Sequence, residues 1–122
     1  MARKYVANAL VSQAEAVGQS WTSFLLKKAQ SMLPTLVPGD RLLVVRTRRP
    51  RAGDVVALPD PRRPGRTLVK RVAGEHMGLL DLRGDNPAFS TDSRSFGLVP
   101  SSAVRGRVVR RYWPPERRGP IG

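Results

Sequence analysis

From residue 31 onward, short segments rich in valine and leucine alternate with turns that contain proline or glycine, which leaves room for strands but not for long helices. Five segments have this character: Arg41–Arg46, Asp54–Leu58, Thr67–Val72, Gly78–Leu82 and Val104–Tyr112. Many short strands at close spacing predict a mainly β protein, built as a small antiparallel, partly closed, barrel-like sheet.

Strand alternation also predicts which side chains share a face. In the third segment, Leu68, Lys70 and Val72 fall on one side, so the lysine shares its face with apolar neighbours. In the last segment, alternation groups the following residues on one face: Val104, Gly106, Val108, Arg110 and Tyr112.

Residues 1–30 differ in texture from the rest of the chain and are predicted to carry an amphipathic α-helix within residues 5–28. Its apolar positions recur every three or four residues: Val6, Leu10, Ala14, Val17, Trp21 and Leu25. Such a helix could pack on the domain, or it could rest on a membrane or a partner. The β-domain is predicted to span residues 31–113, and residues 114–122 form a basic, proline-rich tail that we expect to be extended and mobile.

The composition limits the classes of site. The 122 residues suit one domain and include no cysteine and only one histidine, His76, so we expect no disulfide, no metal site and no cofactor. The formal net charge of +13 would attract anionic partners, either nucleic acid, lipid or acidic protein. No stretch reaches the roughly 20 apolar residues that cross a bilayer. We expect a monomer in the cytoplasm, with possible peripheral membrane contact through the N-terminal helix.

Lys70 is the only lysine after residue 28, among seventeen arginines. Arginine stays protonated at any working pH, whereas a buried lysine can lose its proton and act as a base. A serine upstream, Ser31, directly precedes a proline-containing turn, and Pro34 would stiffen that turn. Serine with a lysine base is a known variant of nucleophilic acyl transfer.

Three blocks of sequence carry a resemblance to a known family: SMLPTLVPGD at 31–40, LVKRVAG at 68–74 and GDNPAFSTDSRSFG at 84–97. In this order and spacing they resemble the type I signal peptidases, which are serine proteases with a Ser–Lys dyad. The resemblance covers residues 31 to about 112. In its short length and its C-terminal segment VRGRVVRRYWPP, the chain is most similar to one subgroup of this family. Members of that subgroup mature nickel-type superoxide dismutase by removing a leader from its precursor.

The resemblance implies roles for individual residues. Ser31 is the implied nucleophile and Lys70 the implied general base. Ser90 would orient the lysine amine, and Asp92 and Arg94 would form a supporting ion pair. Apart from the resemblance, Met32 is apolar and could line a substrate cleft or anchor the loop, and we expect Met32 and Pro34 to contact the substrate. The family usually has glycine or proline directly before the nucleophile, where this chain has Gln30. It often has a hydroxyl residue two positions before the nucleophile that donates to the oxyanion, where this chain has Ala29, so the oxyanion hole would rest on the backbone N–H of Ser31.

Two other functions fit the residues. A basic β-domain could bind nucleic acid, with Phe89, Phe96 and Trp113 as stacking platforms, although the arginines are scattered and aromatic residues make up only 6% of the chain. A LexA-like self-cleaving regulator would share the Ser–Lys chemistry but would need a DNA-binding helical domain, for which the N-terminal segment is too short. The blocks favour a protein or peptide substrate over nucleic acid.

Overall fold

The computed structural model describes residues 6–8, 21–25, 30–47, 49–89 and 92–121. Nine strands lie in these residues: β1 Val6–Asn8, β2 Trp21–Leu25, β3 Arg41–Val45, β4 Val55–Asp60, β5 Arg63–His76, β6 Leu79–Arg83, β7 Val99–Pro100, β8 Gly106–Trp113 and β9 Gly119–Pro120. The helical elements are one turn of α-helix, α1 Ser93–Phe96, and four 3₁₀ turns, Gln30–Met32, Pro87–Phe89, Ser101–Ala103 and Pro115–Arg117. Among the helices of these residues, none is long and apolar enough to cross a membrane.

The strands form one sheet in the order β1-β2-β3-β8-β4-β5-β6-β7, with β9 paired to β8. The neighbours are antiparallel except β1 and β2, which run parallel. The mainly β prediction is therefore confirmed. The sheet is open rather than partly closed, because its two edges are the three-residue β1 and the two-residue β7, and the described residues show no pairing between them.

The predicted N-terminal helix is wrong wherever the structure describes this segment, because Val6–Asn8 and Trp21–Leu25 are strands. Trp21–Leu25 pairs residue by residue with Arg41–Val45 of β3. Helical periodicity reports only on local spacing, while the ladder with β3 satisfies the backbone groups of both segments. The rest of the proposed helix lies outside the described residues.

Two hydrophobic clusters lie on opposite faces of β4 and β5. One cluster contains Val55, Ala57 and Val69 together with residues from β3 and β8. The other contains Val56, Leu58, Leu68 and Val72 together with residues from β6 and β7. Because β4 is buried on both faces, it reads as a continuous apolar run rather than as an alternating one. Lys70 pairs with Val56 and therefore lies on the face of the second cluster.

The C-terminal segment is packed onto the domain, which corrects the expectation of an extended, mobile tail. Gly119–Pro120 pairs with β8, and the Ile121 N–H donates to the Val109 carbonyl at 3.0 Å. The Ile121 side chain packs against the first hydrophobic cluster. Hydrogen bonding and apolar burial together stabilise the ordered segment against the entropy cost of fixing it.

Candidate active site

Lys70 is a buried amine in the middle of β5. Its side chain is 3% exposed, and Leu68 and Val72 flank it on the same face. Burial disfavours the charged form and lowers the pKa of Lys70 from 10.5 to about 8. About one amine in ten is then neutral at pH 7, which is enough to serve as a proton acceptor.

Charged groups around Lys70 adjust this pKa in both directions. After burial, the largest influence is Asp92, whose carboxylate favours the ammonium form and raises the pKa. Arg66 and Arg62 disfavour a third cation and lower the pKa, and Asp60 raises it. Asp60 is itself buried and accepts hydrogen bonds from Arg62 Nε and Nη2 at 3.3 and 3.2 Å. Sequence reasoning missed this carboxylate, although an aspartate at the end of an apolar strand was a visible signal.

The charges around Lys70 predict a pH effect on cleavage. If the neutral amine is the base, the rate rises with pH toward a plateau above about pH 8. Arg66→Gln removes a neighbouring cation, so the pKa of Lys70 rises and the acid limb of the profile moves to higher pH. The expected shift is on the order of a few tenths of a pH unit, since Arg66 is half exposed and screened.

The matched control for this measurement is Arg63→Gln. Arg63 is exposed on the same strand and is not one of the charges that shift the pKa of Lys70. Peptide cleavage followed from pH 6 to pH 10 gives both profiles. Equal midpoints for the Arg66 and Arg63 variants would contradict Lys70 as the group that titrates.

Ser31 lies in the 3₁₀ turn Gln30–Met32, which packs beside β5 and beside the turn Pro87–Phe89. Its side chain is half-buried, and its carbonyl accepts a 2.8 Å hydrogen bond from the Asn86 N–H. The three sequence blocks therefore meet at one place in the fold: Ser31 from the first, the strand of Lys70 from the second and Asn86 from the third.

The two expected substrate contacts have different environments. Pro34 is exposed in the turn after Ser31, where the Leu33–Pro34 peptide bond is cis. Met32 is 1% exposed and belongs to the first hydrophobic cluster, together with Leu36. The side chain of Met32 therefore anchors the loop in the core, which corrects its expected role of lining a substrate cleft.

The third block places Asp92 and Arg94 together. Arg94 Nε and Nη2 donate to the two Asp92 oxygens at 3.0 and 2.9 Å, and the Gly84 N–H donates to the same carboxylate at 3.1 Å. Asp92 is fully buried and also caps α1 through the Arg94 N–H. Ser90 lies outside the described residues. No group of three or more metal-binding side chains occurs among the residues that the structure describes.

A link between the three blocks was not foreseen from the sequence. The Thr35 hydroxyl donates to Asp85 at 2.5 Å, and Arg71 donates to both oxygens of the same carboxylate at 2.9 Å. Arg71 also donates to the Gly53 carbonyl at 2.8 Å. Because Arg71 directly follows Lys70, this ion pair joins the lysine strand to the serine loop. Its pairing with Asp85 lowers the pKa of that carboxyl, so the link persists into mildly acidic solution.

A second link joins the serine loop to the C-terminal strand. Arg111 Nη1 donates to the Thr35 carbonyl at 2.9 Å and to Asp40 at 3.0 Å, and Arg117 lies 3.6 Å from the same carboxylate. Asp40 is fully buried and also accepts from the Val37 N–H. Alternation predicts that Arg110, not Arg111, shares the face of β8 that carries Val108.

A register shift explains this difference. Leu43 lies opposite Arg110 whereas Val44 lies opposite Val108, so Val109 is an extra residue in the ladder. Between that bulge and a second one at Tyr112, the two faces of β8 are exchanged, and Arg111 turns toward the buried side opposite Leu42. Strand alternation alone cannot reveal a bulge, because its cause is the pairing with β3.

Comparison with known proteins agrees with this geometry. The family model described as signal peptidase, peptidase S26, matches residues 5–75 and 78–113. The mitochondrial ATP-independent inner membrane protease subunit 1b of Arabidopsis thaliana is 33% identical over 119 residues, covering 75% of this chain and 70% of that protein. Mitochondrial inner membrane protease subunit 1 of Schizosaccharomyces pombe is 30% identical over 108 residues, covering 69% of each chain. The chain spans about half of a third relative, subunit 1 of Xenopus tropicalis, at 36% identity over 89 residues. The chain is therefore a member of the S26 signal peptidase family of proteases.

Proposed function

We propose that this protein is a serine endopeptidase that uses Ser31 and Lys70 to remove the N-terminal leader of a precursor protein, such as that of nickel superoxide dismutase. The observation that carries the proposal is the buried amine of Lys70, with its pKa lowered to about 8, on a strand packed against the 3₁₀ turn of Ser31.

The chemistry proceeds through an acyl-enzyme. The Ser31 hydroxyl oxygen attacks the scissile carbonyl carbon while Lys70 accepts the hydroxyl proton. The lysine then gives that proton to the leaving amine nitrogen, and the new N-terminus departs. Water attacks the ester with Lys70 again as base, which releases the leader as a carboxylate and regenerates Ser31. The Ser31 N–H stabilises the oxyanion.

The supporting residues keep these groups in place. Asp92 and Arg94 form a compact ion pair, and the Asp92 carboxylate raises the pKa of Lys70. Asn86 fixes the backbone of Ser31. We assign Ser90, as the resemblance implies, to orienting the lysine amine, and exposed Pro34 to contact with the substrate.

The substrate assignment has less support than the proposed Ser–Lys chemistry. Its support is the segment VRGRVVRRYWPP, which is similar to the corresponding segment of the dismutase maturation subgroup. The relatives named above are mitochondrial inner membrane protease subunits, and their names do not specify a dismutase precursor as substrate. A test must therefore separate the peptidase activity from the identity of its substrate.

The test is mass spectrometry of candidate precursors after incubation with the protein. We expect the nickel superoxide dismutase precursor to lose a leader, and the Ser31→Ala variant to leave it intact. A second precursor with small residues before its cleavage site is the comparison. Cleavage of only the second precursor would keep the peptidase and overturn the substrate. Cleavage of neither, or equal cleavage by Ser31→Ala, would overturn the proposed enzyme.

A further inference from the structure

A cavity of about 410 Å³ lies between the end of β3 and the 3₁₀ turn Ser101–Ala103, and neither Ser31 nor Lys70 lines it. Its size falls in the range of roughly 300–1,000 Å³ that small-molecule sites occupy. Two arginines, three hydroxyl residues and one apolar residue line it: Arg46, Thr47, Ser101, Ser102, Val104 and Arg105.

The two arginines of this cavity lack a carboxylate partner among the described residues. Seven other arginines have one: Arg62, Arg66, Arg71, Arg83, Arg94, Arg111 and Arg117. Exposed arginines such as Arg63 and Arg118 also lack one among those residues, and what distinguishes Arg46 and Arg105 is that both line the same cavity. Two like charges that converge on one cavity repel each other unless an anion lies between them. Guanidinium and hydroxyl donors together suit a phosphate group.

An exposed apolar tip adjoins the cavity. The Ser101 N–H donates to the Gly78 carbonyl at 2.8 Å, which fixes the turn between β5 and β6 against the cavity wall. On either side of Gly78, Met77 is 86% exposed and Leu79 is 39% exposed. Leu98, two residues before the strand end at Pro100, is also half exposed. Nucleic acid would gain little from aliphatic side chains here, whereas the acyl region of a lipid would accept them.

Met77 is an unsuitable residue for the backbone it occupies. His76 pairs with Leu79, so Met77 and Gly78 form a two-residue hairpin loop, with φ of 51° and 81°. Such loops favour asparagine followed by glycine, because both positions need positive φ. Neither the backbone conformation nor packing within the chain accounts for methionine at this position. Its exposed side chain is therefore placed to contact another molecule.

We infer that the cavity formed by Arg46 and Arg105 binds the phosphate of an anionic lipid headgroup while Met77 and Leu79 enter the lipid surface. The site is separate from Ser31 and Lys70, and its test does not depend on the proposed function. Charge attracts the protein to the surface, and the apolar tip selects lipid over a soluble polyanion.

The experiment measures sedimentation with vesicles of phosphatidylcholine alone or with three-tenths phosphatidylglycerol. We expect binding only to the anionic vesicles, reduced by salt. The double variant Arg46→Gln/Arg105→Gln should weaken binding about 30-fold, the factor for removing two arginines beside an anionic surface. The control Arg63→Gln/Arg118→Gln removes the same charge from exposed positions outside the cavity and should lose no more than a fewfold. Cleavage of a soluble peptide should be unchanged in both.

Met77→Asn separates a lipid contact from a structural role. Asparagine suits positive φ, so we expect a melting temperature that is unchanged or higher, together with several-fold weaker vesicle binding. A lower melting temperature would overturn the lipid role of Met77. Equal losses of vesicle binding in the two double variants would show that net charge alone drives binding, and this would overturn the phosphate site in the cavity. Binding of inorganic phosphate without vesicle binding, or stronger binding to nucleic acid that depends on Arg46 and Arg105, would also overturn the lipid assignment.

Discussion

Replacing Lys70 with methionine is expected to lower cleavage by about 10²–10⁴-fold, the contribution of a positioned general base, and to leave the fold at least as stable at pH 7. Lys70→Arg should lose activity to the same extent, because it keeps the charge and cannot supply a neutral amine. Precursor cleavage under single-turnover conditions measures both variants.

The stability half of this prediction follows from the pKa of Lys70. The folded value of about 8 lies below the ordinary value of 10.5, so between these values the unfolded chain binds more protons than the folded one. Wild-type stability therefore rises with pH across that window, and below pH 8 the full cost of burying the ammonium remains. That cost is on the order of 3 kcal/mol. Methionine removes it, since an apolar isostere of a buried charge is often neutral or stabilising.

Urea unfolding at pH 7 and pH 10 checks the sign. We expect the wild type to gain stability between the two values and Lys70→Met to gain none from this position. The exposed Arg63→Met is the control for the added methionine. A Lys70→Met protein that unfolds far more easily at pH 7 would indicate a structural ammonium, and retained cleavage would remove Lys70 from the mechanism.

Replacing Arg111 with alanine is expected to cost about 3–5 kcal/mol of unfolding free energy, a large part of the 5–15 kcal/mol typical of a domain. The change leaves the fully buried Asp40 carboxylate without its nearest cation, since Arg117 lies 3.6 Å away. It also removes the donor to the Thr35 carbonyl. Chemical denaturation at neutral pH measures the loss.

The neighbouring Arg110→Ala is the matched control. Arg110 is exposed and has no carboxylate partner among the described residues, so its loss should stay within about 0.5 kcal/mol. Asp40→Asn in the Arg111→Ala background should recover part of the stability, because the amide removes the unpaired charge and keeps an acceptor for the Val37 N–H. Equal effects of Arg110→Ala and Arg111→Ala would contradict the buried ion pair.

Sequence alone located the strands that carry the candidate site. Branched apolar residues and turn residues predicted β3, β4, β6 and β8 to within a few residues, because those preferences are local. Alternation put Lys70 among Leu68 and Val72, and the order of three blocks indicated the protease family. The strand and alternation inferences depended on neighbours close along the chain, whereas the family inference depended on the order of blocks between residues 31 and 97.

Pairing between distant segments decided the features that alternation and motifs could not predict. The apolar residues of Trp21–Leu25 continue a helical spacing, but the segment is a strand because its backbone pairs with β3. The bulge at Val109 turns Arg111 inward to meet Asp40, 71 residues earlier. The C-terminal residues order for the same reason, since Ile121 reaches a core made by other strands. Local sequence determined which residues form strands and which amine is buried. Tertiary structure alone decided which buried charges meet, because the cost of an unpaired charge in the core depends on partners that the chain brings from far away.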